Sequence, residues 1–266
     1  MPDQMLFSLS AVAALVPSVL LPLRKDHKPD VIFWLVLVVA VVGPLNLVLA
    51  SMAGSWRTDL AMSLWVTVAA TMGVFAVISI LAREAWRLTP LISGYMAALG
   101  VLATIWGQAS HKSLGAVASG GWIGIHIAVS VATYALVTIA AMASLAAFIQ
   151  ERALKRKQPT ALTRLFPSVI DCEGLEVRLL TLGEIVLALG LVTGMALQYG
   201  ETGSLLVLDH KTVLTITAFV VIGALLFAHF KTGLRGRKAA RIVLLAYLLL
   251  TLGYPGVKFV TDVIMA

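Results

Sequence analysis

Apolar residues in this chain gather into long unbroken blocks and do not alternate with polar ones. Eight blocks stand out: Met5 to Leu23, Val31 to Ala50, Leu60 to Leu81, Pro90 to Trp106, Trp122 to Phe148, Leu179 to Gln198, Val213 to Phe230, and Ala239 to Val260. An apolar run of about 20 residues can cross a hydrocarbon core of roughly 30 Å as a helix. In lipid, only helices and closed barrels satisfy every backbone polar group. The pattern therefore predicts an all-α fold: a polytopic integral membrane protein of about eight transmembrane helices. The fourth block is short and carries Gly94 and Gly100. Connections are short except over 150–178, which is too small for a separate domain, so 1–266 is expected to be a single transmembrane domain. No repeat of 20–50 residues is visible.

Composition agrees: 60% of the 266 residues are hydrophobic and 12% charged, against about a quarter charged in soluble domains. A single cysteine excludes a disulfide framework and paired thiolate chemistry. The excess of 20 Lys+Arg over 13 Asp+Glu resolves into topology. Alternate loops place sixteen cations on one side, from Arg24, Lys25 and Lys28 through Arg83, Arg87 and Arg152 to Arg235, Arg237 and Arg241; the other side holds Arg57, Lys112, Lys211 and Lys258. The richer side is expected to be cytoplasmic and both termini external. Nucleic acid is not needed to explain the charge. Met1 to Gln4 has no positive n-region, and Arg24-Lys25 follow the first block, so that block is expected to remain as a helix.

Ionisable groups inside spans are costly and mark candidate sites. His27 belongs to a basic loop and His111 to an external one. His126 lies about one turn into the fifth span, His210 at the external mouth of the seventh and His229 at that helix's cytoplasmic end. Nineteen residues separate His210 from His229, about 28 Å along a helix, so these two cannot share a ligand. His126 and His210 lie at similar depth and could hold one metal or haem iron if their helices are neighbours; otherwise His126 hydrogen-bonds an adjacent helix. His229 also suits interfacial snorkelling beside Lys231. Glu184, about two turns into the sixth span, is expected to be protonated on a backbone carbonyl or to serve a proton or cation path. Trp56, Trp106 and Trp122 fit an interfacial belt, and Gly120 to Gly124 a close-packing Gly-x-x-x-Gly. Walker-type, His-Glu-x-x-His and Ser-x-x-Lys patterns are absent.

Three stretches together carry a family resemblance. The first is Gly124-Ile125-His126-Ile127 running to Tyr134 and Gln150-Glu151-Arg152. The second is Leu179 to Gly194, and the third runs from Asp209-His210-Lys211-Thr212 through Gly233-Leu234-Arg235-Gly236-Arg237 to Tyr254-Pro255-Gly256-Val257. Over about 120–266 the chain resembles the cytochrome c assembly protein family of haem-handling membrane proteins (the CcsA and CcmC type), most closely its small YpjD-like inner-membrane branch. The family's tryptophan-rich external loop is replaced here by Glu201 to Thr212, without tryptophan, and no histidine follows Tyr254.

The resemblance implies haem binding or haem relay in cytochrome c biogenesis, in a bacterial inner membrane. Partners would be the lipid bilayer, other maturation proteins or apocytochrome c. No metal beyond haem iron and no enzyme activity of its own is implied, at most a part in a haem-attachment complex. His126 is similar to an external haem ligand and His229 to an intramembrane histidine before the arginine-rich turn, with His210 a second external candidate. Arg235 and Arg237 could attract haem propionates. The alternative is an ion or proton transporter, or an accessory subunit of a cation transporter, using Glu184 and the histidines.

Overall fold

A computed structural model of the chain describes residues 2–24, 28–52, 59–107 and 121–264. His27, Trp56, His111 and Gly120 lie outside them. Eight helices long and apolar enough to span a membrane are present, and no strand occurs among the described residues. They are α1 (Pro2–Leu20), α2 (Val31–Met52), α3 (Leu60–Leu81), α4 (Thr89–Trp106), α5 (Gly121–Arg156), α7 (Val169–Thr202), α8 (His210–Thr232) and α9 (Arg237–Thr251), the last reaching span length with the helical turns that carry it on to Phe259. Between α5 and α7 stands the short α6 (Ala161–Leu165). After α9 the chain makes a π-helical turn over Leu252–Gly256, where Pro255 has no N–H to donate, then α10 (Val257–Phe259) and a second π turn.

The helices form two groups joined by one. In the first, α1 packs on α2 and α4, and α3 packs on the same two. In the second, α5 pairs with α7 and α9 while α8 packs on α7 and α9. Helix α5 joins the groups through α3 and is the most buried span. Its buried stretches, Thr133 to Ala135 and Val137 to Ser144, are rich in small side chains. By contrast α1 and α2 present Leu6, Phe7, Leu35 and Val38 outward, as helices facing lipid should.

The 150–178 connection is mostly helix. Helix α5 has 36 residues and α7 has 34, each about 50 Å long and well beyond the hydrocarbon core. Gln150 Nε2 donates to the carbonyls of Thr163, Phe166 and Pro167, and Arg87 donates to those of Arg164 and Leu165. These bonds tie α6 to the basic end of the bundle, the end that bears most of the Lys and Arg.

Among the described residues, nothing lies within 4 Å of where a Cβ would stand on Gly121 or Gly124. The close approach is made by α7. Its Gly183 faces Val137 and Leu136, Gly190 faces Val129, and Gly194 faces His126, so spacings of seven and four put three glycines on one stripe against α5.

Candidate functional site

A cavity of about 730 Å³ opens near the end of the bundle opposite the basic end, between α5, α7, α8 and the π turn after α9. Its size lies within the ordinary range for small-molecule sites. Leu187, Leu191, Met195, Ile216 and Leu250 make its walls apolar, while Gln198, Asp209, Lys211 and Thr212 bring polar groups toward the α7–α8 connection. That connection is fastened to α7 by the Val207 N–H, which donates to Gln198 Oε1 at 3.2 Å.

His126 lines this cavity. Its Nδ1 lies 3.0 Å from Thr193 Oγ1, and Thr193 Oγ1 donates its single proton to the Gly190 carbonyl at 3.1 Å. With that proton on the carbonyl, the threonine oxygen is placed to accept from Nδ1–H. In the neutral ring that arrangement puts the lone pair on Nε2, the form that ligates a metal. Gly194 makes the arrangement possible: a Cβ there would stand 3.1 Å from His126 Cε1.

Tyr134 and Tyr254 form the inner wall. The Tyr134 hydroxyl lies 3.0 Å from Thr251 Oγ1 and 3.2 Å from the Tyr247 hydroxyl, which donates to Tyr95 on α4 at 2.6 Å. Four of the five tyrosines thus meet where the two helix groups join, with Tyr254 ring-to-ring against Tyr134. The sequence marks Tyr134 and Tyr254 singly and hides the cluster, since Tyr95 and Tyr247 are 152 positions apart. Thr193 and Lys211 are not distinguished by sequence as site residues either. Lys211 sits beside His210, which is, and Thr193 falls within the Leu179 to Gly194 stretch, and those are the available signals.

The other candidates are not gathered here. His210 is exposed at the first position of α8, and the residue of that turn lining the cavity is its neighbour Lys211. Helix α8 packs on α7 and α9 and reaches the cavity through Lys211, Thr212, Thr215 and Ile216, so His210 is not among the residues that share the lining with His126. Asp209 caps α8 by accepting from the Thr212 N–H at 2.7 Å, which holds its carboxyl below the usual value.

His229 and Arg235 lie at the basic end, in a crevice of about 20 Å³ shared with Glu151, Glu173 and Glu176. That is room for a water molecule and not for a porphyrin. His229 Nδ1 is 3.0 Å from the Leu234 carbonyl, Gly236 N donates to Glu173 Oε1, and Arg237 Nε lies 3.9 Å from Glu151 Oε1. Gly233 and Gly236 take φ of +69° and +68°, which lets this turn reverse. On α5, Glu151 lies 25 residues beyond His126, about 37 Å of helix, so His229 cannot reach a group held by His126.

Glu184 stands between α7 and α8, about 15 Å along α7 from Gly194. Among the described residues, no hydrogen bond joins Glu184 to a backbone carbonyl. Its Oε1 lies against Gly223, 3.0 Å from where a Cβ would be, and its buried Oε2 has no hydrogen-bond partner among the described residues.

The family described as "Cytochrome C assembly protein" matches residues 29–265, which takes in α2 to α4 as well as the second helix group. A protein of Azospirillum brasilense described as "Uncharacterized 28.8 kDa protein in nifR3-like 5'region" is 51% identical over all of both chains. Inner membrane protein YpjD of Escherichia coli K12 is 31% identical over 140 residues, 53% of this chain and 52% of that protein.

Proposed function

This chain belongs to the cytochrome c assembly protein family, and from that premise we propose that it binds haem in the α5–α7–α8 cavity and holds or relays it for cytochrome c biogenesis. The observation that carries the reading is the His126–Thr193–Gly190 relay, which engages Nδ1 and leaves Nε2 as the ligating nitrogen of a ring lining a cavity of about 730 Å³. The donor set fits the group: a neutral imidazole for iron, apolar walls for a porphyrin, and Lys211 at the mouth for a propionate. When bound, haem would supply the iron and the vinyl groups that cytochrome c attachment consumes. This chain's own part is to orient the imidazole through Thr193, to exclude water with Leu187, Leu191 and Ile216, and to offset propionate charge with Lys211. His210, His229, Arg235 and Arg237 do not line this cavity.

We further propose residence in the bacterial inner membrane, with the basic end cytoplasmic and the cavity opening outward, where apocytochrome c or another maturation protein could meet it. The test is an absorption spectrum of detergent-purified protein with and without added haemin. A Soret band that appears at one haem per chain and is lost in His126→Ala supports the reading. A protein that stays colourless with haemin, or a His126→Ala variant with an unchanged spectrum, overturns it.

A second reading rests on Glu184, whose buried and unpartnered Oε2 suits a proton or cation path between α7 and α8. In proteoliposomes, an ion flux that collapses in Glu184→Gln would support it, and equal flux would reject it.

A further inference from the structure

At the basic end, away from the haem cavity, a second cavity of about 340 Å³ lies between the α1–α2 connection, the α3–α4 connection and α6. Four cations from three separate segments converge on it: Arg24, Lys28, Arg87 and Arg164. Two are already held. Arg24 grips Asp30 with both terminal nitrogens, at 3.1 and 2.8 Å, and Arg87 is fixed by the Arg164 and Leu165 carbonyls and by Glu84. Those bonds set the cavity's shape. The exposed Lys28 and Arg164 have no acidic partner among the described residues, and Glu84 is the sole acid in the lining. Counted over the described residues, the cavity therefore keeps net positive charge after its internal pairs.

Its other wall is apolar and aromatic. Phe33 and Trp86 pack edge to face with centroids 5.9 Å apart, and Leu21 and Leu165 complete the lining. Just outside, Leu23 is 80% and Val31 73% exposed, so the apolar surface continues from the cavity onto the lipid-facing sides of α1 and α2. We infer that this cavity seats the phosphate headgroup of an anionic phospholipid between Lys28 and Arg164, with the start of its acyl chains against Phe33, Trp86 and the outer faces of α1 and α2. Free inorganic phosphate shares the charge chemistry but leaves the apolar wall unused, and that favours the lipid. The cavity lies at the helix ends, the level at which leaflet phosphates sit, and basic pockets between helices there suit acidic headgroups.

The experiment is native mass spectrometry of the full-length protein titrated with dioleoyl phosphatidylglycerol, dioleoyl phosphatidylcholine or inorganic phosphate. Lys28→Gln/Arg164→Gln is compared with Arg152→Gln/Arg156→Gln, which removes two exposed cations from the same end but outside the cavity. All four side chains are exposed, so both variants should fold, and a thermal melt checks this. A cation held against the lipid headgroup is worth about fivefold in affinity. The expected result is phosphatidylglycerol binding weakened about 25-fold in the first variant and within about twofold in the second. Equal loss in both variants would mean general surface attraction, equal binding of phosphatidylcholine would mean no headgroup site, and phosphate that displaces no lipid yet binds at this cavity would make it a free-anion site. Each of those results overturns the inference.

Discussion

Replacing Thr193 by valine keeps the shape of the side chain and removes its hydroxyl. In the wild type that oxygen lies 3.0 Å from His126 Nδ1, placed to accept its N–H while giving its own proton to the Gly190 carbonyl. The stability cost should be small, about 0.6 kcal/mol and at most about 1.7, because side-chain hydrogen bonds between membrane helices average that much. The effect on ligation should be larger. Without an acceptor at Nδ1, nothing holds the proton off Nε2 or the ring in place, and loss of such an orienting partner weakens metal ligation by about 10–100-fold. That corresponds to ~1.4–2.7 kcal/mol. Haemin titration of wild type, Thr193→Val and Thr193→Ser reads it, with serine expected to retain most of the affinity. The 15N chemical shifts of the His126 ring report the protonated nitrogen without any haem, and should show Nδ1–H in the wild type. An Nε2–H signal there, or unchanged haemin affinity in Thr193→Val alongside loss in His126→Ala, would refute the relay argument.

Gly183→Val places side-chain atoms where a Cβ alone would stand 3.1 Å from Val137 Cγ2; overpacking of this kind costs about 1–3 kcal/mol, and a thermal melt in detergent that matches wild type would contradict the α5–α7 contact. Tyr134→Phe removes the hydroxyl shared by Thr251 and Tyr247, and should cost about 1–3 kcal/mol because polar partners are left buried; chemical denaturation of the variant against wild type measures it. Asp30 is held at about 2, below its ordinary 3.8, by the Arg24 guanidinium and the Phe33 N–H. Because the folded value is the lower one, its contribution is complete above about pH 4 and disappears as pH falls through about 2. Asp30→Asn should therefore flatten the acid limb of melting temperature against pH, and an unchanged limb would exclude the pair as its cause.

Most of the span architecture is legible along the chain. A bilayer helix must be long and apolar all round, so the run from Leu60 to Leu81 defines α3 without reference to any neighbour. The last block is legible only in part, because Pro255 turns its end into π-helix and so aims Tyr254 at the cavity. The length of α5 beyond Phe148 is not legible: its polar last two turns leave the lipid, where hydropathy no longer marks helix. Residues that meet across helices are decided by tertiary structure alone. His126 stands out as a polar group in an apolar run, but its partner Thr193 is 67 positions away, and Thr193 becomes a partner because Gly194 lets α7 approach. His210 looks equal to His126 by depth, yet depth along the membrane normal says nothing of rotation about a helix axis. That rotation turns Lys211 toward the cavity and leaves His210 outside. Local sequence determines insertion and span length, because each residue meets lipid on its own account; side-chain convergence depends on which faces pack, a property of helix pairs and not of any one segment.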